Sequence, residues 1–185
     1  IKETNELSSL RLEVRKFITE CINNNEFVPA ADSWVFAADP EFSRKLGSKG
    51  WLGMSFPKQY GGNERTALER YVVTEELLAS GAPVAAHWIA DRQSGSQILR
   101  YGTEKQKSSI IPKISSGECF FAIGMSEPDS GSDLASVKTK ATKTATRVIT
   151  WPNLLVPYHT IPNKARVIQI ILKGGQNTVH FILCK

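Results

Sequence analysis

The segment of this chain best equipped for chemistry is Gly124-Met125-Ser126-Glu127-Pro128-Asp129-Ser130-Gly131-Ser132-Asp133. A short apolar run, Cys119 to Met125, leads into it, and the pattern predicts a strand running directly into a turn of small, polar and cyclic residues. Ser126 and Ser132 offer hydroxyls, Gly131 lets a backbone approach closely, and consecutive N–H groups of such a turn can form a nest for phosphate oxygens. The same residues also suit an ordinary turn in which Asp and Ser cap their own backbone. The strings GxSxG, HExxH, GxxxxGK[ST] and GxGxxG are absent. His87, His159 and His180 are isolated and read as structural or surface histidines. In the pair Glu75-Glu76, Glu76 reads as solvated and Glu75 as held by a partner. Cys21, Cys119 and Cys184 are odd in number and lack CxxC spacing, which argues for reduced thiols and against a disulfide framework or a zinc site.

Helices must position this segment. Leu7, Leu10, Val14, Phe17 and Cys21 step by three and four and define one buried face, with Arg11 and Arg15 off it. Asn23-Asn24-Asn25 and Pro29 end that helix, and a second is expected from about Pro40 to Leu46. Gly47, Gly50, Gly53, Gly61 and Gly62, interleaved with Trp51, Phe56 and Tyr60, predict an ordered loop anchored by aromatics. Helix resumes from about Glu64 to Ser80, with Leu68, Tyr71, Val72, Glu75 and Leu78 on one side, and stops at Gly81. Another spans about Pro83 to Arg100. Thr103 and Gln106 have capping-box spacing ahead of Ile110, Ile111 and Ile114, and Pro112 is expected to bend or end that helix. After Gly117 the period becomes that of strands, so α and β parts are segregated and a βαβ sheet is excluded.

The 185 residues carry 23 Lys+Arg against 18 Asp+Glu, with an ordinary globular share of apolar residues, so disorder and a coiled coil are poor readings. No run of 18 apolar residues exists, which argues against a helical membrane span. The charge is uneven: Leu134–Lys185 holds eight Lys/Arg and no Asp or Glu, while the preceding residues are net −3. The chain starts at Ile1 without a basic, then apolar, leader, so a missing or processed N-terminus is expected.

Gly124 to Ser136 resembles the acyl-CoA dehydrogenase motif: small, aliphatic, Ser/Thr, Glu, two free positions, small, Gly, Ser/Thr, Asp, two free, small. Gly50-Trp51-Leu52-Gly53 through Pro57 and Tyr60-Gly61-Gly62 resembles the family's glycine loop, with Lys58 where an acid is common. Glu75-Glu76-Leu77, Tyr101-Gly102-Thr103-Glu104-Lys105-Gln106, and Pro112-Lys113-Ile114 with Ser116-Gly117-Glu118 agree. The resemblance covers roughly residues 5–144. It implies an α+β chain: an N-terminal all-α helical bundle (residues 1–118), then the beginning of a β-barrel domain (residues 119–185, partial or atypical). It further implies FAD as cofactor, lined by backbone at Ile123 and Met125 and the hydroxyl of Ser126, with Gly131 and Ser132 near the pyrophosphate and Ser132 also touching the acyl-CoA substrate. The implied reaction is α,β-dehydrogenation of an acyl-CoA thioester to the trans-2-enoyl-CoA, an oxidoreductase step of fatty-acid β-oxidation. An electron-transfer flavoprotein is the implied acceptor and a homo-oligomer the implied assembly. The location would be cytoplasmic, or the mitochondrial matrix in a eukaryote.

The family's base is a glutamate of a C-terminal helical domain, which the sequence does not reach, so no residue here takes that role and the chain alone is expected to be inactive. From near Thr144 the resemblance fails; Val148-Ile149-Thr150-Trp151 is the nearest string to the family's Trp-Ile-Thr element, with the wrong spacing. Arg166–Lys173 and Thr178–Cys184 read as two strands of a hairpin. The acid-free composition of the same stretch points to an altered reading frame, an alternative exon or a fragmentary gene. Two further readings stay open: a non-catalytic FAD- or CoA-binding or helical interaction module, and anion or nucleic-acid binding through the basic tail, against which the sparse aromatics there weigh.

Overall fold

The computed structural model describes residues 4–124 and 132–133, together with strand segments 141–143, 148–150, 166–170 and 179–184. Helix α1 (Asn5–Asn23) begins where the Thr4 hydroxyl accepts the Leu7 N–H. It ends where Asn25 turns to a φ of 55° and the Glu26 N–H reaches back to the Cys21 carbonyl at 2.9 Å. Leu7, Leu10, Val14, Ile18 and Cys21 are buried. Ile18, four residues after Val14, takes the place expected of Phe17, which lies half-buried and edge-on to Trp51 with ring centroids 5.2 Å apart.

A single turn, α2 (Ser33–Phe36), precedes α3 (Pro40–Ser48), which starts on the Asp39 carboxylate with Pro40 in the first turn and outlasts its expected end by two residues. The glycine-rich loop follows, with one 3₁₀ turn over Lys58–Tyr60. Helix α4 (Ala67–Ala79) starts later than its apolar pattern, because a capping box between Thr66 and Glu69 fixes the first turn. The expected Pro83–Arg100 helix is one helical path interrupted in register: α5 (Ala85–Ile89), a π-turn (Ala90–Ser94) and α6 (Gly95–Tyr101).

Helix α7 (Glu104–Ser115) opens on the Thr103–Gln106 capping box and runs through Pro112, contrary to the expected bend or stop. Proline removes one N–H donor. With three residues left to Ser115, the buried side chains of Ile111 and Ile114 hold the last turn in place. Gly117 then closes the helix at a φ of 73°, and the Glu118 N–H bonds the Lys113 carbonyl at 2.8 Å.

The apolar faces meet in two neighbouring cores. One joins α1, α3, α4 and the loop residues Trp51, Leu52 and Met54. The other gathers Phe56, Ala90, Ile98, Ile111 and Ile114 around Cys119 and Phe121 of β1 (Cys119–Gly124). The buried side of α4 is Val72, Val73, Glu76 and Leu77, which corrects the expected stripe: Leu68, Tyr71 and Leu78 are exposed.

The remaining strands are β2 (Ala141–Lys143), β3 (Val148–Thr150), β4 (Arg166–Ile170) and β5 (Val179–Cys184). β4 and β5 pair antiparallel, as their alternation predicts, and β5 pairs with β1 in the register Cys119↔Cys184 to Gly124↔Val179. β2 and β3 form a separate pair. The described strands thus make two small sheets, of order β1-β5-β4 and β2-β3, and no closed barrel. Among the described residues no helix is long and apolar enough to cross a membrane.

Candidate functional site

Strand β1 is fixed at its start. Cys119 and Phe121 are buried against α7 and the π-turn, and the Gly117 corner sits on α3. A Cβ on Gly47 would lie 2.4 Å from the Ser116 backbone, and one on Gly117 2.3 Å from the Ser43 carbonyl oxygen, so both glycines are required by close approach. The glycine loop meets the same helix end, since a Cβ on Gly53 would fall 2.1 Å from Ser115 Oγ and one on Gly61 3.2 Å from Pro112 Cα. The loop that resembles the family motif therefore wedges α7, and α7 launches β1.

Of the residues singled out from sequence, Ile123 lies on β1 opposite His180 of β5, and Ser132 is exposed in a bend beside exposed Asp133. Met125, Ser126 and Gly131 lie outside the described residues. Of the described strands β1 pairs with β5 alone, so backbone groups along its other edge have no strand partner among the described residues.

Glu75 is held by partners as expected, whereas Glu76, expected to be solvated, is buried. Glu76 is buried between α4 and α1, accepting from Arg15 Nε at 2.7 Å and from Arg11, while Glu75 is more exposed, bonded to Arg11 at 2.6 Å and to the Tyr71 hydroxyl at 2.7 Å. Burial pushes the Glu76 carboxyl up, and the hydrogen bonds from Arg15 and Arg11 outweigh it and hold its pKa below the ordinary value.

A second polar cluster, unread from sequence, is built on the π-turn. Buried Asp91 accepts the Gly53 N–H at 2.7 Å and pairs with Arg70 at 3.2 Å. Arg92 stacks on the Trp88 ring at 4.5 Å and donates to Thr74 Oγ1 at 3.0 Å. His87, read as structural or surface, is buried with Nδ1 2.9 Å from Ser43 Oγ. Its pKa is lowered to about 4 by burial, against the charge of Asp91, so the imidazole is neutral at pH 7. The one-residue register shift of a π-turn carries no sequence mark, so spacing alone does not single out Asp91 and Arg92.

Residues 4–118 match the family model "Acyl-CoA dehydrogenase, N-terminal domain". The chain belongs to the acyl-CoA dehydrogenase family. It is 38% identical over 99 residues, 54% of its length and 24% of the relative's, to acyl-CoA dehydrogenase FadE26 of Mycobacterium tuberculosis. To mitochondrial isovaleryl-CoA dehydrogenase of Pongo abelii it is 37% identical over 147 residues, 75% of this chain and 33% of that one. The Tcur3481-Tcur3483 steroid ACAD superposes on the whole of this chain and 55% of its own, with a TM-score of 0.69 at 27% identity. The chain thus spans about a third or less of the length of these two curated relatives. Members of the family are flavoprotein oxidoreductases of fatty-acid β-oxidation, and the helical architecture of residues 4–118 is that of their N-terminal domain.

Proposed function

We propose that this chain supplies the flavin-facing part of an FAD-dependent acyl-CoA dehydrogenase that converts an acyl-CoA thioester to its trans-2-enoyl-CoA. One observation carries the reading: the family match over residues 4–118 passes without a break into β1, beyond which Ser132 is exposed. Residues 1–118 form the helical domain in this reading and 119–185 a partial β-domain. Bound FAD would supply the two-electron acceptor for the β-hydrogen.

The chain's own contribution is orientation. Backbone at Ile123 and Met125 and the Ser126 hydroxyl would face the flavin ring, while Gly131 and Ser132 would hold the pyrophosphate, Ser132 also meeting the acyl-CoA. α7, wedged by the glycine loop, keeps β1 from shifting under that load. Glu75 and Glu76 are locked onto Arg11 and Arg15 and serve no proton transfer. An electron-transfer flavoprotein and further copies of the chain are the partners in this reading.

The test is the absorbance spectrum of the purified chain after incubation with FAD and removal of free flavin. Retained flavin absorbance between about 350 and 500 nm is expected, with a marked loss in Gly131→Val. A folded, colourless protein would overturn the reading.

A further inference from the structure

Between α4, the glycine loop and the π-turn lies a cavity of about 20 Å³ whose polar wall is Arg70, Thr74, Asp91 and Arg92, and whose apolar wall includes Trp51 and Val73. Both Asp91 carboxylate oxygens are engaged, Oδ1 by the Gly53 N–H and Oδ2 by Arg70. Arg92 has no carboxylate within 4 Å among the described residues; its hydrogen bond there goes to Thr74, whose own hydroxyl donates to the Arg70 carbonyl. His87, on the same cavity, is neutral at pH 7. Two guanidinium groups against one carboxylate leave the cavity wall with a net positive charge and unspent N–H donors, in surroundings where attraction for an anion is stronger than in water. Burial, together with the charge of Arg70, pulls the Arg92 pKa below its ordinary value.

We propose that this cavity binds one halide-sized monovalent anion between Arg92 and Arg70. Its volume leaves room for about one water-sized particle, which favours a small monovalent anion over phosphate, sulfate or an acyl chain. The anion neutralises the surplus charge where α4, the glycine loop and the π-turn meet. This site is independent of the flavin reading and its test does not involve flavin.

Chloride is the probe. The chloride NMR linewidth is expected to show saturable excess broadening in the presence of the whole chain, and the broadening to fall by about tenfold in Arg92→Met, which keeps the stem on Trp88 but removes the charge. Arg100→Met, removing a cation that stacks on Tyr101 at 5.1 Å away from the cavity, is expected to keep it. A second measurement needs no variant: at equal ionic strength, chloride should raise the unfolding midpoint of the wild-type chain saturably, whereas sulfate, excluded from the protein surface, should raise it without saturation. Absent broadening with folded wild type, equal broadening in Arg92→Met and wild type, or a rise of the midpoint with chloride that never saturates would each overturn the proposal.

Discussion

Gly47 of α3 touches the backbone of Ser116 at the end of α7 so closely that any side chain there would collide with main-chain atoms, a Cβ falling 2.4 Å from the Ser116 carbonyl carbon and oxygen. Neither backbone can rotate away as a side chain would, and β1 begins three residues later. Gly47→Ala is therefore expected to cost about 2–3 kcal/mol, the upper part of the range for overpacking. Gly50→Ala is expected to cost about 1 kcal/mol, since it has a φ of 70° but faces only the Asn63 side chain, at 3.2 Å. Urea denaturation of the two variants beside wild type checks both; equal losses would show that close approach at Gly47 is not limiting.

Glu76 joins α1 to α4 through Arg11 and Arg15, and its side chain is 9% exposed. Glu76→Ala removes the buried carboxylate that joins Arg11 and Arg15, and is expected to destabilise by about 2–3 kcal/mol. Glu75→Ala, at 40% side-chain exposure, is expected to cost much less than Glu76→Ala, because solvent screens its ion pair. Because the folded pKa of Glu76 is lowered, its contribution is present above the ordinary carboxylate pKa and is lost as pH falls through the folded value. Urea midpoints at neutral pH, and again in the acid range, measure both effects.

Which parts of this were legible depended on whether polarity and burial agree. In α1 they do, and spacing alone finds Leu7, Leu10, Val14 and Cys21. In α4 the carboxylate that goes inside is Glu76, because Arg11 and Arg15 meet it there, whereas the predicted face carries its neighbour Glu75 and so turns onto Leu68, Tyr71 and Leu78. The π-turn shifts register without any residue that signals it, hiding Asp91 and Arg92. Pro112 reads as a stop because its missing donor is visible in sequence, whereas the burial of Ile114 that outweighs it is tertiary. For the strand-and-turn motif, the positions legible in sequence and described in the fold are Ile123 on β1 and exposed Ser132. The glycine loop is legible as a loop, while its partner α7, about fifty residues on in the chain, is not.

His87 makes stability depend on mildly acid pH. Its folded pKa of about 4 lies below the ordinary 6.5, so the unfolded chain binds the proton first as pH falls. The stabilisation is fully present above about pH 6.5 and is lost progressively toward pH 4, amounting to roughly 2 kcal/mol by pH 5. His87→Gln is expected to be less stable at pH 7.5, with a smaller fall between pH 7.5 and 5 than wild type. Parallel pH slopes in the two proteins would remove His87 as the cause.

Cys21 should be chemically silent in the folded chain. Burial first, then its hydrogen bond with Glu26, pushes its thiol pKa up to about 12, so at pH 8 the thiolate fraction is on the order of one in ten thousand. Cys119, wholly buried at the start of β1, is shielded by access as well. Iodoacetamide treatment of the native chain at pH 8 followed by peptide mass mapping is expected to leave both unmodified, with full labelling in urea. Labelling of Cys21 at a rate faster than global unfolding would mean that the end of α1 opens locally, because the thiol cannot react from the geometry it has beside Glu26.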